Sequence, residues 1–256
     1  MYIIAEIGSN IFKFPDNPKA NLNVAYEQIE KAKECQADAV KFQLYTSKEL
    51  YGETVEEVDK FAMPPNWIPK LSRVCDMQNI DFLCTAFSPE GYRLVDPYVL
   101  KHKVASPEAC DPNLRAWLML NTLKPIIWSN GCKDISWAAE KDIVLNCASA
   151  YPATIDMYSV QAPHKTWGIS DHTFSSDVAY LAAMQGGTYF EKHVDLCPGG
   201  SPTPDTEVSI GRADFSKYIA RLHNTEMNTA ETQRSLSAKL YGRKIGSGME
   251  YYRPIN

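Results

Sequence analysis

No uncharged apolar run in this 256-residue chain approaches the ~18 residues that a membrane-spanning helix needs. Glycine-rich nucleotide loops are missing as well. Neither G-x-G-x-x-G nor G-x-x-x-x-G-K-[ST] occurs, which argues against a dinucleotide-binding fold and a P-loop. The seven cysteines are odd in number and never form a C-x-x-C pair, so neither a zinc ribbon nor a thioredoxin-type motif is supported. There is no N-x-[ST] glycosylation acceptor. Basic charge is also short: 26 Lys and Arg stand against 31 Asp and Glu, a net charge of −5. Phosphate-backbone binding needs clustered cations, so nucleic acid is a poor partner. Met1–Glu6 has neither the basic region nor the length of a secretory signal and reads as a strand. Buried, reduced thiols in a cytoplasmic protein are the expectation.

What is present is a strand and helix alternation. With 45% apolar residues the chain can bury a large core as one domain. Candidate strands cover 2–7, 39–43, 80–84, 103–105, 125–128, 143–146, 167–169 and 188–191. Between them, Leu22, Ala25, Tyr26 and Ile29 recur at helical spacing, as do residues of 67–77, 176–185 and the set Phe215, Tyr218, Ile219 and Leu222. Ser176 is placed to cap the third of these helices, and Gly186 to end it in a left-handed turn. Such alternation predicts parallel strands with right-handed crossovers, and eight strands predict an α/β fold of the (β/α)8 TIM-barrel type. The reading assigns 1–227 to the barrel, 49–65 to a long loop and 228–256 to a polar C-terminal tail.

Barrel enzymes work at the C-terminal ends of their strands. Polar residues gather there: Glu6; Lys41 and Gln43; Lys103, Ser106 and Glu108; Ser129; Ser149 and Tyr151; Ser170, Asp171 and His172; and Glu191, Lys192 and His193. Taken singly, a Lys or Glu at a strand end is more often a solvated rim residue, and a lone His a hydrogen-bonded structural group. His172 and His193 differ because strands seven and eight are neighbours. Two imidazoles at one mouth suit a catalytic divalent metal. Lys41 and Lys103 lie within strands, and an inward ammonium needs an anion, phosphate or carboxylate. The residues alone point to a metal-assisted enzyme acting on a small phosphorylated or carboxylated molecule.

These stretches resemble the sialic acid (N-acetylneuraminate) synthases, which condense phosphoenolpyruvate with an N-acetylated amino sugar. The likeness rests on Ala5-Glu6-Ile7-Gly8, Ala39-Val40-Lys41-Phe42-Gln43, Lys103-Val104-Ala105-Ser106-Pro107-Glu108 and Lys124-Pro125-Ile126-Ile127. It continues through Cys147-Ala148-Ser149-Ala150-Tyr151-Pro152, Gly168-Ile169-Ser170-Asp171-His172-Thr173, Glu191-Lys192-His193 and Pro204-Asp205. The resemblance implies a metal on His172 and His193, manganese by preference over magnesium or cobalt. It implies phosphoenolpyruvate held by Lys41, Lys103, Ser106, Ser129 and Ser170, with Ser149 where relatives carry Asn or Ser. Glu6 would handle the attacking water or the intermediate. Glu108, Tyr151 and Asp205 would contact the acceptor sugar, and Gln43 joins the substrate-binding set.

Two departures qualify the match. Relatives follow the first motif with an Asn-His-Asn-Gly-like loop, whereas here Asn10 precedes Ile11-Phe12-Lys13-Phe14-Pro15. Full-length synthases also carry an antifreeze-like C-terminal domain that reaches across a dimer and supplies an arginine to the sugar. The expectation here is a barrel without that domain, with a homodimer implied only through the family's habit. The resemblance therefore implies an N-acetylneuraminate synthase-like transferase. A non-catalytic barrel binding a phosphorylated or carboxylated sugar-type ligand, and a metal-dependent phosphatase or aldolase, remain open at this point.

Overall fold

A computed structural model describes residues 1–131, 135, 137–239, 242–244 and 250–252. Eight strands, β1 Tyr2–Glu6, β2 Ala39–Leu44, β3 Asp81–Ala86, β4 His102–Val104, β5 Ile126–Ser129, β6 Ile143–Cys147, β7 Trp167–Asp171 and β8 Tyr189–Asp195, pair in parallel and in chain order. β1 closes the ring on β8, with Glu6 opposite His193. This is the (β/α)8 barrel that the alternation predicts, and each predicted strand lies within two residues of an observed one except that β8 runs on to Asp195. Around it lie α1 Pro18–Glu34, α2 Ser47–Tyr51, α3 Glu56–Asp59, α4 Ile68–Gln78, α5 Pro89–Val95, α6 Ser106–Ala109, α7 Pro112–Asn121, α8 Asp177–Met184 and α9 Arg212–Lys239. Among the described residues no helix is long and apolar enough to cross a membrane.

Period-2 alternation sorts every strand into two faces. Outward residues such as Ile3, Ala5, Val40, Phe42, Trp128, Val144, Ile169 and Phe190 join the large core beneath the helices. Inward residues form a small apolar floor of Ile4, Ala39, Leu83, Ile127, Ile143 and Leu145, underlain by Tyr2 and Tyr189. One step further along the same inward rows stand Glu6, Lys41, Thr85, Lys103, Ser129 and Glu191, all buried. The barrel interior is thus dry below and charged above.

The alternation fails in two crossovers. Between β5 and β6, and between β6 and β7, the described residues contain no α-helix, only a 3-10 turn at Ile155–Met157. Pro152 and Pro163 interrupt the second segment, and neither segment carries helical periodicity. Trp137 takes a helix's place, meeting Trp128 edge-on with ring centroids 4.8 Å apart under the Arg115 guanidinium. The expected loop over 49–65 is also more ordered than predicted, because it holds α3 and the end of α2. Thr46 and Glu49 cap α2 reciprocally, while the Ser47 amide and hydroxyl donate to Asp59.

Ser176 precedes α8 as predicted, but its hydroxyl accepts a bond from Arg221 instead of capping the helix; Gly186 does take the left-handed conformation. α9 continues past the expected boundary at 227 to Lys239, and much of the remaining tail lies outside the described residues. The described cysteines are free thiols; Cys132 lies outside the described residues.

Candidate active site

The charged layer is a continuous network. Lys41 Nζ lies 3.0 Å from Glu6 Oε2 and 3.3 Å from Glu191 Oε2, and donates to Thr85 Oγ1 at 3.1 Å. Lys103 Nζ donates to Ser129 Oγ at 2.8 Å and stands 3.6 Å from Glu191 Oε1, which also accepts from Ser170 Oγ at 2.7 Å. Gln43 Nε2 donates to Glu6 Oε1 at 2.7 Å. The anions that the inward lysines need are therefore supplied first by the chain itself.

Burial sets the protonation of this layer. It raises the Glu6 carboxyl, with Lys41 and His193 opposing. It would raise Glu191 too, but the Lys103 and Lys41 ammonium groups outweigh it and hold that carboxyl well below the usual range. Burial lowers Lys103 despite Glu191 beside it. Lys41 is also desolvated, yet Glu191 and Glu6 together keep it above its ordinary value.

Above the network the two histidines meet, ring centroids 5.5 Å apart. His172 Nδ1 lies 2.8 Å from the Ala148 carbonyl, so it carries the proton and Nε2 keeps its lone pair. Burial and then His193 push the His172 pKa down to about 3, so the ring is neutral at pH 7. His193 Nδ1 is buried without a hydrogen bond, 3.5 Å from Asp205 Oδ1. A neutral imidazole beside a second ring, with a carboxylate behind that second ring, fits a divalent cation. No group of three His, Cys, Asp or Glu residues clusters in metal-binding fashion among the described residues.

Tyr151 covers this pair, its ring stacked on His172 at 4.1 Å and edge-on to His193 at 5.7 Å. Asp205 is clamped by the amide and hydroxyl of Ser9, at 2.6 and 2.8 Å. The clamp depends on Gly8, whose φ is +52° and whose missing Cβ would fall 2.2 Å from Asp205 Oδ2. Gly8→Ala should cost at least about 1 kcal/mol from the left-handed backbone alone, and more through displacement of Asp205. The check is a thermal melt, expected to fall by several degrees.

A hydroxyl cradle completes the floor. Ser106 Oγ and Ser149 Oγ lie 3.3 Å apart, and a Cβ on Gly131 would sit 2.8 and 2.7 Å from them. The cavity is about 460 Å³, and every predicted site residue lines it except Glu6, which lies just beneath on Gln43 and Lys41. Glu108 lies at its edge with its carboxyl raised by burial.

The cavity also holds two residues to which the strand ends assign no role. Thr85 lies one residue before the end of β3, and Glu191, though among the polar residues at the end of strand eight, carries no expected role there. Glu191 is the hub of the network, and its spacing of two from His193 marks both as sharing one face. Leu50 and Tyr51 on α2 and Phe87 after β3 form an apolar wall. No local pattern marks that wall, because α2 reaches the mouth only through the fold.

A model of the NeuB family matches residues 28–234. The pseudaminic acid synthase of Helicobacter pylori is 27% identical over 93% of this chain and 78% of its own length. The N,N'-diacetyllegionaminic acid synthase of Legionella pneumophila is 25% identical, covering 88% of this chain and 72% of that protein. The solved N-acetylneuraminic acid synthetase of Leptospira borgpetersenii superposes with a TM-score of 0.74 at 23% identity, over 93% of each chain, and shares the barrel.

Proposed function

This chain belongs to the NeuB family, and from that premise we propose that it condenses phosphoenolpyruvate with the aldehyde of an N-acetylated amino sugar. The products are a nonulosonic acid, a sialic acid-like 2-keto acid, and inorganic phosphate. The observation that carries the reading is the buried layer of Lys41, Lys103, Glu6 and Glu191 directly beneath His172 and His193.

In this reading Lys41 and Lys103 face the phosphate and carboxylate, with the hydroxyls of Ser106, Ser129, Ser149 and Ser170 as neutral donors. The absent Cβ at Gly131 leaves room for an anion oxygen among those hydroxyls. His172 and His193 would hold a divalent cation, manganese by preference, which when bound polarises an aldehyde oxygen. Glu108, Tyr151, Asp205 and Gln43 orient the acceptor so that its aldehyde carbon faces C3 of the enol. C3 forms the new carbon–carbon bond as the aldehyde π pair passes to its oxygen, and C2 becomes cationic. That oxygen becomes a hydroxyl by taking up the proton that water gives up at C2. Water adds at C2 as Glu6 takes its proton, a task suited to a carboxylate whose basicity burial has raised. The tetrahedral species then expels phosphate, whose charge the lysines have neutralised throughout. The local field of the two ammonium groups outweighs the chain's net charge of −5 for an incoming anion.

The acceptor is an amino sugar bearing acyl groups, for which the wall of Leu50, Tyr51 and Phe87 offers apolar contact. Candidate acceptors are N-acetylmannosamine and the diacetamido sugars that lead to pseudaminic and legionaminic acids, the acids in two relatives' names. The setting is cytoplasmic, in keeping with free thiols.

Phosphate release should be measured with phosphoenolpyruvate, Mn²⁺ and a panel of these sugars. Release that requires one sugar, with a product of matching mass, supports the synthase. Release without any sugar would point to hydrolysis, and none with any sugar to a binding protein.

A further inference from the structure

The two histidines each follow a charged residue, and those two residues form an ion pair on the other side of the barrel wall. Asp171 precedes His172 on β7 and Lys192 precedes His193 on β8, and the two are register partners. Because successive side chains point to opposite faces, the histidines turn inward while Asp171 and Lys192 turn outward beneath α9. There Lys192 Nζ lies 3.2 Å from Asp171 Oδ1, both side chains wholly buried.

The pair also fixes the chain beyond His172. Asp171 Oδ1 accepts from the Thr173 amide and hydroxyl, each at 2.8 Å. Lys192 Nζ donates to the Thr173 carbonyl and, at 3.4 Å, to that of Ser175. The turn that carries the chain out of β7 is thereby tied to β8 by one cation and one anion.

Stability alone does not account for this arrangement. A buried ion pair returns little net stability over apolar residues of the same size. Asp171 Oδ2 and the nearby Tyr218 hydroxyl are, moreover, buried without hydrogen-bond partners. What the pair does determine is the relative placement of two adjacent strand ends, each bearing one imidazole.

We propose that Asp171 and Lys192 are positioning residues for the His172 and His193 pair: their outward ion pair locks β7 to β8 so that the two inward imidazoles converge on one cation. The inference rests on the metal reading of the histidines. Metal ligands held by ordered outer contacts typically lose about 10- to 100-fold in affinity when those contacts go.

The test is Mn²⁺ affinity, followed by the loss of the free-ion signal in electron paramagnetic resonance, alongside thermal melting. Asp171→Asn with Lys192→Met removes both charges together, keeps the acceptor for Thr173 and leaves no unpaired ion. This double variant should fold and bind Mn²⁺ about 10- to 100-fold more weakly. Asp171→Asn alone, which leaves the ammonium on its two carbonyls, should lose affinity by a smaller factor and decides the matter if the double variant does not fold. A folded variant with unchanged Mn²⁺ affinity and only a lowered melting temperature overturns the inference, because a purely structural pair would behave that way. Wild-type protein that fails to bind Mn²⁺ overturns the metal reading itself, and the inference with it.

Discussion

Lys103→Ala is expected to lower kcat/KM for phosphoenolpyruvate by at least about 100-fold, most of it through KM, while the acceptor KM changes little. The ammonium lies at the bottom of the cavity, on Ser129 Oγ and beside Glu191. A hydrogen bond to a charged group contributes about 1.5–3 kcal/mol, roughly a 10- to 150-fold change in binding. The loss here exceeds that of one bond because the floor is charge-balanced, two lysines against Glu6 and Glu191. Without Lys103 an incoming phosphate meets two carboxylates across a single ammonium. The wild-type residue is already strained by burial, which lowers its pKa. An anion arriving beside it restores what desolvation took, so the interaction is stronger in the loaded site than in the empty one. Steady-state kinetics with each substrate varied in turn gives the answer. A phosphoenolpyruvate KM within about threefold of wild type would remove Lys103 from the phosphate site, since even one charged bond should cost more.

His193→Ala is expected to abolish metal-dependent turnover, a loss of about 1,000-fold or more given that Lewis-acid stabilisation is worth several kcal/mol. His172 alone cannot compensate. No third His, Cys, Asp or Glu completes a metal-binding cluster among the described residues. The variant should keep its fold, because His193 Nδ1 makes no hydrogen bond that the core would miss. Activity assayed with and without a chelator distinguishes the outcomes. Wild type should lose turnover on chelation and regain it with Mn²⁺, whereas the variant should respond to neither. Turnover that survives in the variant would mean the histidines serve another role.

Much of this was legible in the sequence. Eight apolar runs separated by helical or turn-rich segments place all eight strands, since a parallel barrel strand is largely apolar on its outer face whatever its inner face carries. The histidine pair and both lysines are readable for a related reason: an ionisable residue within an otherwise apolar run either faces inward or must find a charged partner outside, as Asp171 and Lys192 do. Glu191 shows where such reading stops. It lies two residues before His193 and so shares its face, yet its role as common partner of Lys41, Lys103 and Ser170 depends on groups from β2, β4 and β7. Thr85 was missed likewise, its meaning resting on Lys41 one strand away.

The two crossovers in which the described residues form no α-helix mark the opposite limit. Strand and helix alternation implies a helix after every strand, but segments 130–142 and 148–166 bury β5 to β7 with Trp137, Tyr158 and Val160 instead. Covering apolar surface is what folding requires there, and a tryptophan on a loop meets that requirement as well as a helix does.

By itself, then, the sequence determined the barrel, its strand positions and which side chains face inward, because period-2 alternation and apolar content are local properties. Only the tertiary structure decided which inward groups share a layer. Strands in a closed barrel are tilted and staggered, so height above the apolar floor depends on register between neighbours and not on position along any one strand. That stagger sets Glu6 beside Lys41, gathers two lysines around Glu191 and raises the histidines one step above them. A row of polar strand ends becomes a charge-balanced floor beneath a mouth formed by two histidines.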